Sequence, residues 1–339
     1  MEVKKILIVD KLNSRKLIIK ELSRLGYIGI DLFEKEYIPN KHSVFNKVCN
    51  LINRIILRNN KYYEQLSKRR FDKFSLKALL KVKQSHPKIS YALFFSPEWL
   101  SEEVISTSRD ICEKMISYHY DGIFSRNEKM RIYSSYFDMM YSFDIRDIKN
   151  FPEFNLKPAT NFWIKDDYIS QDSEFDLFYL GVGTKERIDI LNKLYKYCDR
   201  NQLTFKSFAT VNKSSIDTNS KIGFLDQPMS YENNLNYIKK TSAIIDIKLS
   251  YHNGLSFRFF EAMNYNKKII TNNSEVTKYE FFDPNNILVT DFYDMEKVVD
   301  FLKLPYNEIN KEIKGKYSFE NWIKYVLNEG DFLKINLPT

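Results

Sequence analysis

Apolar positions along this chain follow two alternating rhythms. KKILIVD (4–10), YIGIDLF (27–33), SYALFF (90–95), MISYHYD (115–121) and MMYSFDI (139–145) are short apolar runs, as expected of strands covered on both faces. Between them, residues 14–25 and the stretch near 101–114 repeat apolar positions every three or four residues, which predicts helices. Strands alternating with helices argue for a parallel, doubly wound α/β sheet. Residues 44–83 interrupt the series as a long helical insertion.

The rhythm lapses around 146–175, where Pro152, Pro158 and a cluster of polar residues suggest a linker. A second series then opens with DLFYLGV (176–182) and a helix over 185–201. It continues through TFKSFATV (204–211), a helix over 230–241, apolar runs at 243–249 and 267–273, and NILVTD (286–291). The tail, 308–329, reads as two helices split near Gly315. We therefore expect two domains, 1–165 with its insertion at about 44–83, and 172–339. The length of 339 residues also exceeds what one core usually serves. Ligands of such sheets bind outside the carboxyl ends of the strands, so a cleft between the domains would face both sets.

Residues 243–273 carry the richest chemistry. Between two apolar runs, SFRFFEAMN places Phe257, Phe260 and Met263 at helical spacing, with Arg258 and Glu261 three apart on a neighbouring face. Gly254 precedes the helix and Ser256 can cap its first turn. A helix N-terminus, a glycine, an arginine and a carboxylate together suit a phosphorylated, hydroxyl-bearing ligand such as a nucleotide sugar. An ordinary salt-bridged βαβ unit would read the same way. In FYLGVGTKERIDIL (178–191), Gly181 and Gly183 allow close backbone approach, Thr184 can cap a helix, and Lys185 with Arg187 can neutralise a diphosphate. A glycine turn with exposed basic residues is the plain alternative. The dinucleotide fingerprint is not met, because Glu186 stands where its third glycine would be. Asp10, Asp144 and His119, near strand ends, are candidate bases for activating a hydroxyl. Core or turn roles fit each of them as well.

Cys49, Cys112 and Cys198 are widely spaced and odd in number, without a CxxC or Cys/His pairing, so no disulfide framework or zinc site is implied and a reducing cytoplasm is the natural reading. No window is apolar enough for a membrane span. The net charge of +8 is local: residues 44–83 hold eleven Lys or Arg against Glu64 and Asp72, which leaves the remainder near neutrality. That distribution argues against nucleic acid as a partner. It fits an anionic membrane surface docking through 44–83, or a solvated excursion whose apolar face packs on the first domain.

Taken together, MYSFDIRDIKNF (140–151), DLFYLGVGTKERIDIL (176–191), SYENNLNYIKKTSAIIDI (230–247), GLSFRFFEAMNYNKKIITNN (254–273) and YSFENWIKYVL (317–327) resemble bacterial surface-polysaccharide glycosyltransferases of GT-B architecture. The resemblance covers the C-terminal half well and the first 130 residues only in general pattern. It implies two facing Rossmann-like domains, acceptor on the first and nucleotide-sugar donor on the second, with the helices near 317–329 returning to the first. By the same resemblance Glu261 holds the ribose hydroxyls and Arg258 the diphosphate, aided by the N–H groups near Gly254 to Phe257. Asn253 stands where many relatives carry a sugar-contacting glutamate, a departure from the pattern. The implied activity is sugar transfer to a lipid-linked or oligosaccharide acceptor in capsule, O-antigen or lipooligosaccharide synthesis, without cofactor or metal. The expected location is the cytoplasm, with residues 44–83 as the segment that would hold the protein peripherally at the inner face of the cell membrane. Pyruvyl or glycerophosphate transfer on the same scaffold, and a non-catalytic glycan- or nucleotide-binding module, stay open.

Overall fold

The protein is seen in a computed structural model that describes residues 3–10, 14–35, 37, 43–56, 58, 61–123, 127–166, 172–211, 220–249 and 253–338. Lys11, His42, His252 and the linker positions 167–171 lie outside the described residues.

The apolar runs do form strands, buried in β1 and β3 and partly exposed at the edge strand β2. The first series is β1 (Lys5–Val9), α1 (Arg15–Arg24), β2 (Ile28–Asp31), α2 (Val44–Ile55), α3 (Tyr62–Ser85), β3 (Ile89–Phe95), α4 (Glu102–Arg109), β4 (Cys112–His119), α5 (Asn127–Tyr133), β5 (Met139–Ser142), α6 (Ile145–Asn150) and β6 (Lys157–Pro158). Its six strands lie in the order β2-β1-β3-β4-β5-β6. Every described pairing is parallel, with Ile6 beside Gly29 on one side and Tyr91 on the other.

The second series is β7 (Phe175–Val182), α7 (Lys185–Arg200), β8 (Phe205–Thr210), β9 (Gly223–Leu225), α8 (Tyr231–Lys239), β10 (Thr241–Asp246), α9 (Phe257–Tyr265), β11 (Lys268–Thr271), β12 (Ile287–Val289), α10 (Lys297–Lys303), α11 (Lys311–Lys316) and α12 (Phe319–Leu327). Its sheet, β12-β11-β10-β7-β8-β9, is parallel throughout. From β7 the chain first moves out to β8 and β9, then crosses back to β10 on the other flank. The carboxyl ends of β7 and β10 thus form the switch point where ligands of open α/β sheets bind.

By contact density the chain divides into two units, Met1–His119 with Phe124–Met140, and Tyr120–Ile123 with Tyr141–Thr339. In the first, Ile6–Val9 and Leu93–Phe95 are buried, as are Ile18 and Leu22 of α1 and Val104 and Ile105 of α4. In the second, Leu177, Tyr179, Ile245 and Ile270 pack with Leu191, Leu194, Val298 and Phe301. The same unit contains the docking of α12. Trp163 donates its N–H to the Tyr317 carbonyl (3.0 Å), and Phe319 donates back to Trp163 (2.8 Å). The Phe162 ring lies 4.6 Å from Trp322, and the Tyr325 hydroxyl donates to the Pro158 carbonyl.

Several expected boundaries move. The tail splits at Tyr317–Ser318, because Ser318 accepts from the Asn321 N–H and caps α12, while Gly315 stays inside α11. Strand β4 starts three residues earlier than its apolar run, at Cys112, with Cys112 paired to Ile89 and exposed Lys114 to Tyr91 in the sheet. Strand β10 ends at Asp246, short of residue 249.

Candidate functional site

Chemistry in the second unit gathers at the carboxyl ends of β7, β10 and β11. Asp246 closes β10 and is almost fully buried, so its charge needs partners. One oxygen accepts from the Ser256 hydroxyl (2.7 Å) and from Arg258 Nη1 (3.4 Å). The other accepts from the Thr271 hydroxyl at 2.9 Å. A single carboxylate thereby ties the end of β10 to the end of β11 and to the start of α9.

This junction changes the part Ser256 plays. The residue occupies the N-cap position of α9 with extended backbone, but its hydroxyl turns to Asp246 and makes no cap hydrogen bond. The expected cap hydrogen bond is therefore not formed. Thr184 does cap α7 as expected, accepting from the Arg187 N–H.

Arg258 sits at the switch point. Besides Asp246, it donates to the Leu180 carbonyl at the end of β7, and its guanidinium carbon lies 5.9 Å from the Tyr179 ring centre. The Tyr179 hydroxyl is buried without a hydrogen-bond partner among the described residues, and burial pushes its pKa up. One turn along α9, Glu261 is 3% exposed. Its carboxylate accepts from the Tyr231 hydroxyl and, at 3.5 Å, from Asn234. Burial raises its pKa above the ordinary 4.5, opposed by the nearby Arg258 charge and by those hydrogen bonds.

The loop leading into α9 is held from several sides. Lys248 donates its N–H to Asn272 (2.6 Å) and its ammonium to the Asn253 side chain (3.4 Å). Asn253 donates its N–H to Asp144 (3.2 Å), Asn273 donates to the Gly254 carbonyl, and Asn161 donates to the Leu255 carbonyl. A Cβ on Gly254 would stand 2.4 Å from the Phe143 ring and 2.6 Å from the Phe143 carbonyl oxygen. Glycine is required there by the protein's own packing. Gly181 and Gly183 are alike, since a Cβ would meet the Tyr179 hydroxyl at 2.5 Å and Val211 at 2.4 Å.

The structure thus brings Gly181, Asn253, Gly254, Ser256, Arg258 and Asp144 into one connected network, with Glu261 one turn deeper. Arg187 departs from expectation. It is only 9% exposed and donates twice to the Ile247 carbonyl, at 2.7 and 3.1 Å, so its guanidinium braces α7 against β10. Lys185 is the exposed cation of that pair. Asp144 is also engaged, capping α6 and pairing with Arg146 at 2.6 Å. In the first unit, Asp10 lies buried just beyond β1, with Arg15 donating to its carbonyl. His119 ends β4, fully buried between the Ser117 hydroxyl (3.0 Å) and Glu98 (2.5 Å).

Asp246, Thr271, Asn272, Asn273, Lys248 and Asn161 were not singled out from the sequence. A polar residue closing an otherwise apolar strand, as in AIID and KIIT, is the signal that could have found Asp246 and Thr271. A cavity of about 520 Å³, lined by Glu186, Asn272, Thr290 and Tyr293 among others, opens in this part of the second unit. A larger one of about 730 Å³ lies instead between α8 and the face of β7–β9, around Phe175, Phe208 and Tyr237. Among the described residues no group of His, Cys, Asp and Glu side chains is arranged to hold a metal ion. No described helix is long and apolar enough to cross a membrane.

No protein-family model matches the chain, and no curated protein sequence matches it. Solved structures do. The chain is similar to UDP-GlcNAc 2-epimerase from Neisseria meningitidis bound to UDP-GlcNAc, with a TM-score of 0.50, 9% identity, and 97% of this chain and 99% of that one covered. A glycosyltransferase from Rickettsia africae ESF-5 aligns with a TM-score of 0.47, 11% identity and coverage of 97% and 100%. An α-glucosyltransferase in complex with UDP and DNA aligns with a TM-score of 0.45, 10% identity and coverage of 89% and 90%. At such identities the likeness concerns fold alone. Together with the two six-stranded parallel sheets and their flanking helices, it defines a GT-B protein with two Rossmann-like domains.

Proposed function

We propose that the chain is a glycosyltransferase that moves a sugar from a nucleotide-sugar donor to a lipid-linked or oligosaccharide acceptor in bacterial surface-polysaccharide synthesis. The observation that carries this reading is the junction at Asp246, which fixes Arg258 beside the N-terminus of α9, where Ser256 makes no cap hydrogen bond. Backbone N–H groups with a helix dipole and an anchored arginine suit a diphosphate. In this reading those groups, with Lys185, offset the charge of the leaving nucleotide, and Glu261 accepts hydrogen bonds from the ribose diol. The donor belongs to the domain at 172–339 and the acceptor to that at 1–165. Asp144, bound by Arg146 and Asn253, suits a positioning residue better than a base. Asp10 and His119 are then the base candidates, with Glu98 orienting the imidazole.

Thermal shift against UDP, GDP, CMP, TDP and their sugars tests the donor half. A ligand at 100 times its Kd adds about 2.7 kcal/mol of stability. One nucleotide series should stabilise the protein, and Arg258→Gln should abolish the shift. Silence across the whole panel would sink the reading. A second reading, epimerisation of a nucleotide sugar without acceptor, is favoured by the likeness to the 2-epimerase. Incubating UDP-GlcNAc alone and following its sugar signals by NMR separates the two, since transfer requires an acceptor.

A further inference from the structure

Helix α2 is built inside out. Ser43 caps it, accepting from the Asn46 N–H. Val44, Phe45, Val48, Leu51, Ile52 and Ile55 then fall on one side, an arc of about 120° at ~100° per residue. A helix packed on a protein core buries such an arc. Here these six residues are 44–78% exposed, and α2 has no buried residue. The opposite face, Asn46, Cys49, Asn50 and Asn53, is the half-buried one, and Asn46 accepts from the hydroxyl of Tyr62 on α3. The polar side thus faces protein and the apolar side faces outward.

Charge decides what covers that side. Lys47 and Arg54 flank the arc, and Lys68, Arg69, Lys73 and Lys77 on α3 are exposed. Residues 44–83 carry a net +9 while the whole chain carries +8. Two copies of so basic a segment repel each other. A nucleic acid would match the charge but offer nothing to the apolar arc. A lipid–water interface with anionic headgroups meets both demands.

We propose that α2 lies in the surface of an anionic bilayer, its apolar arc at the acyl boundary and its flanking basic residues at the phosphates. The proposal stands apart from the donor reading, because bilayer binding needs no nucleotide.

Co-sedimentation of the full chain with phosphatidylcholine vesicles, and with vesicles containing about 30% phosphatidylglycerol, tests it. Binding is expected on the anionic vesicles only. It should fall at least about 10-fold when ionic strength rises from ~0.1 M to ~1 M, which shortens the screening length from about 10 Å to about 3 Å. Replacing Phe45 and Ile52 with serine should weaken binding at least about 10-fold, because each removes a large exposed apolar side chain. The same variant should melt as wild type, since neither residue supports the fold. Absence of binding to anionic vesicles, equal binding to both vesicle types, or full binding by the double variant overturns the proposal. So does a concentration-dependent dimer in sedimentation velocity that the double variant abolishes, which would assign the face to a second copy.

Discussion

Glu261→Gln separates two quantities that a binding carboxylate couples, stability and ligand affinity. In the folded protein the carboxyl group is nearly fully buried, and burial raises its pKa above 4.5 despite Arg258, Tyr231 and Asn234. The folded form therefore holds the proton more tightly than the unfolded chain does. Below about pH 4.5 both forms are protonated and the group costs nothing. As pH rises, the unfolded chain ionises first and stability falls, until the folded value is passed and the loss is complete. Glutamine keeps the shape and lacks this pH-dependent loss. Three compensating partners make the net cost modest, so we expect the variant to gain about 1 kcal/mol at pH 7, near 2–4 °C in Tm. That gap should close toward pH 4 in a thermal-shift series. Affinity should move the other way. A carboxylate gripping a ribose diol makes charge-assisted hydrogen bonds worth about 1.5–3 kcal/mol, so titration calorimetry should find nucleotide binding ~10–100-fold weaker. A gap that persists unchanged in acid would refute the burial argument, and unchanged affinity would refute the ribose role.

Gly254→Ala puts a methyl group 2.4 Å from the Phe143 ring and against its carbonyl oxygen, so backbone must move. We expect a loss of about 1–3 kcal/mol in urea denaturation; a variant as stable as wild type would show that the contact relaxes freely. The thiols offer a chemical check, since burial pushes Cys112 and Cys198 up to about 12, whereas Cys49 is half-buried on α2. Disulfide-exchange labelling at pH 8 should modify Cys49 first and the other two only on unfolding; fast labelling of Cys198 would contradict its burial on the core-facing side of α7.

Much of the fold was legible in the chain itself. Strands β1 and β3 are buried along nearly their whole length, so burial wrote them as almost unbroken apolar runs. The start of α7 was legible because Thr184 caps it through a bond only three residues long. Strands β6 and β9, of two and three residues, are too short to carry a period, and both went unread. The site was legible only in part. Arg258 and Glu261 were named from helical spacing, whereas Asp246 gains its meaning from Ser256 and Thr271, ten and twenty-five positions away. Spacing likewise placed Arg187 beside Lys185 but not its turn inward to Ile247. For α2 the sequence determined that one face is apolar. Only the tertiary structure decided that this face points outward, because which side a helix buries depends on the partner it packs against. Local periodicity sets where backbone hydrogen bonds can form, and strand register and packing then choose which distant side chains meet.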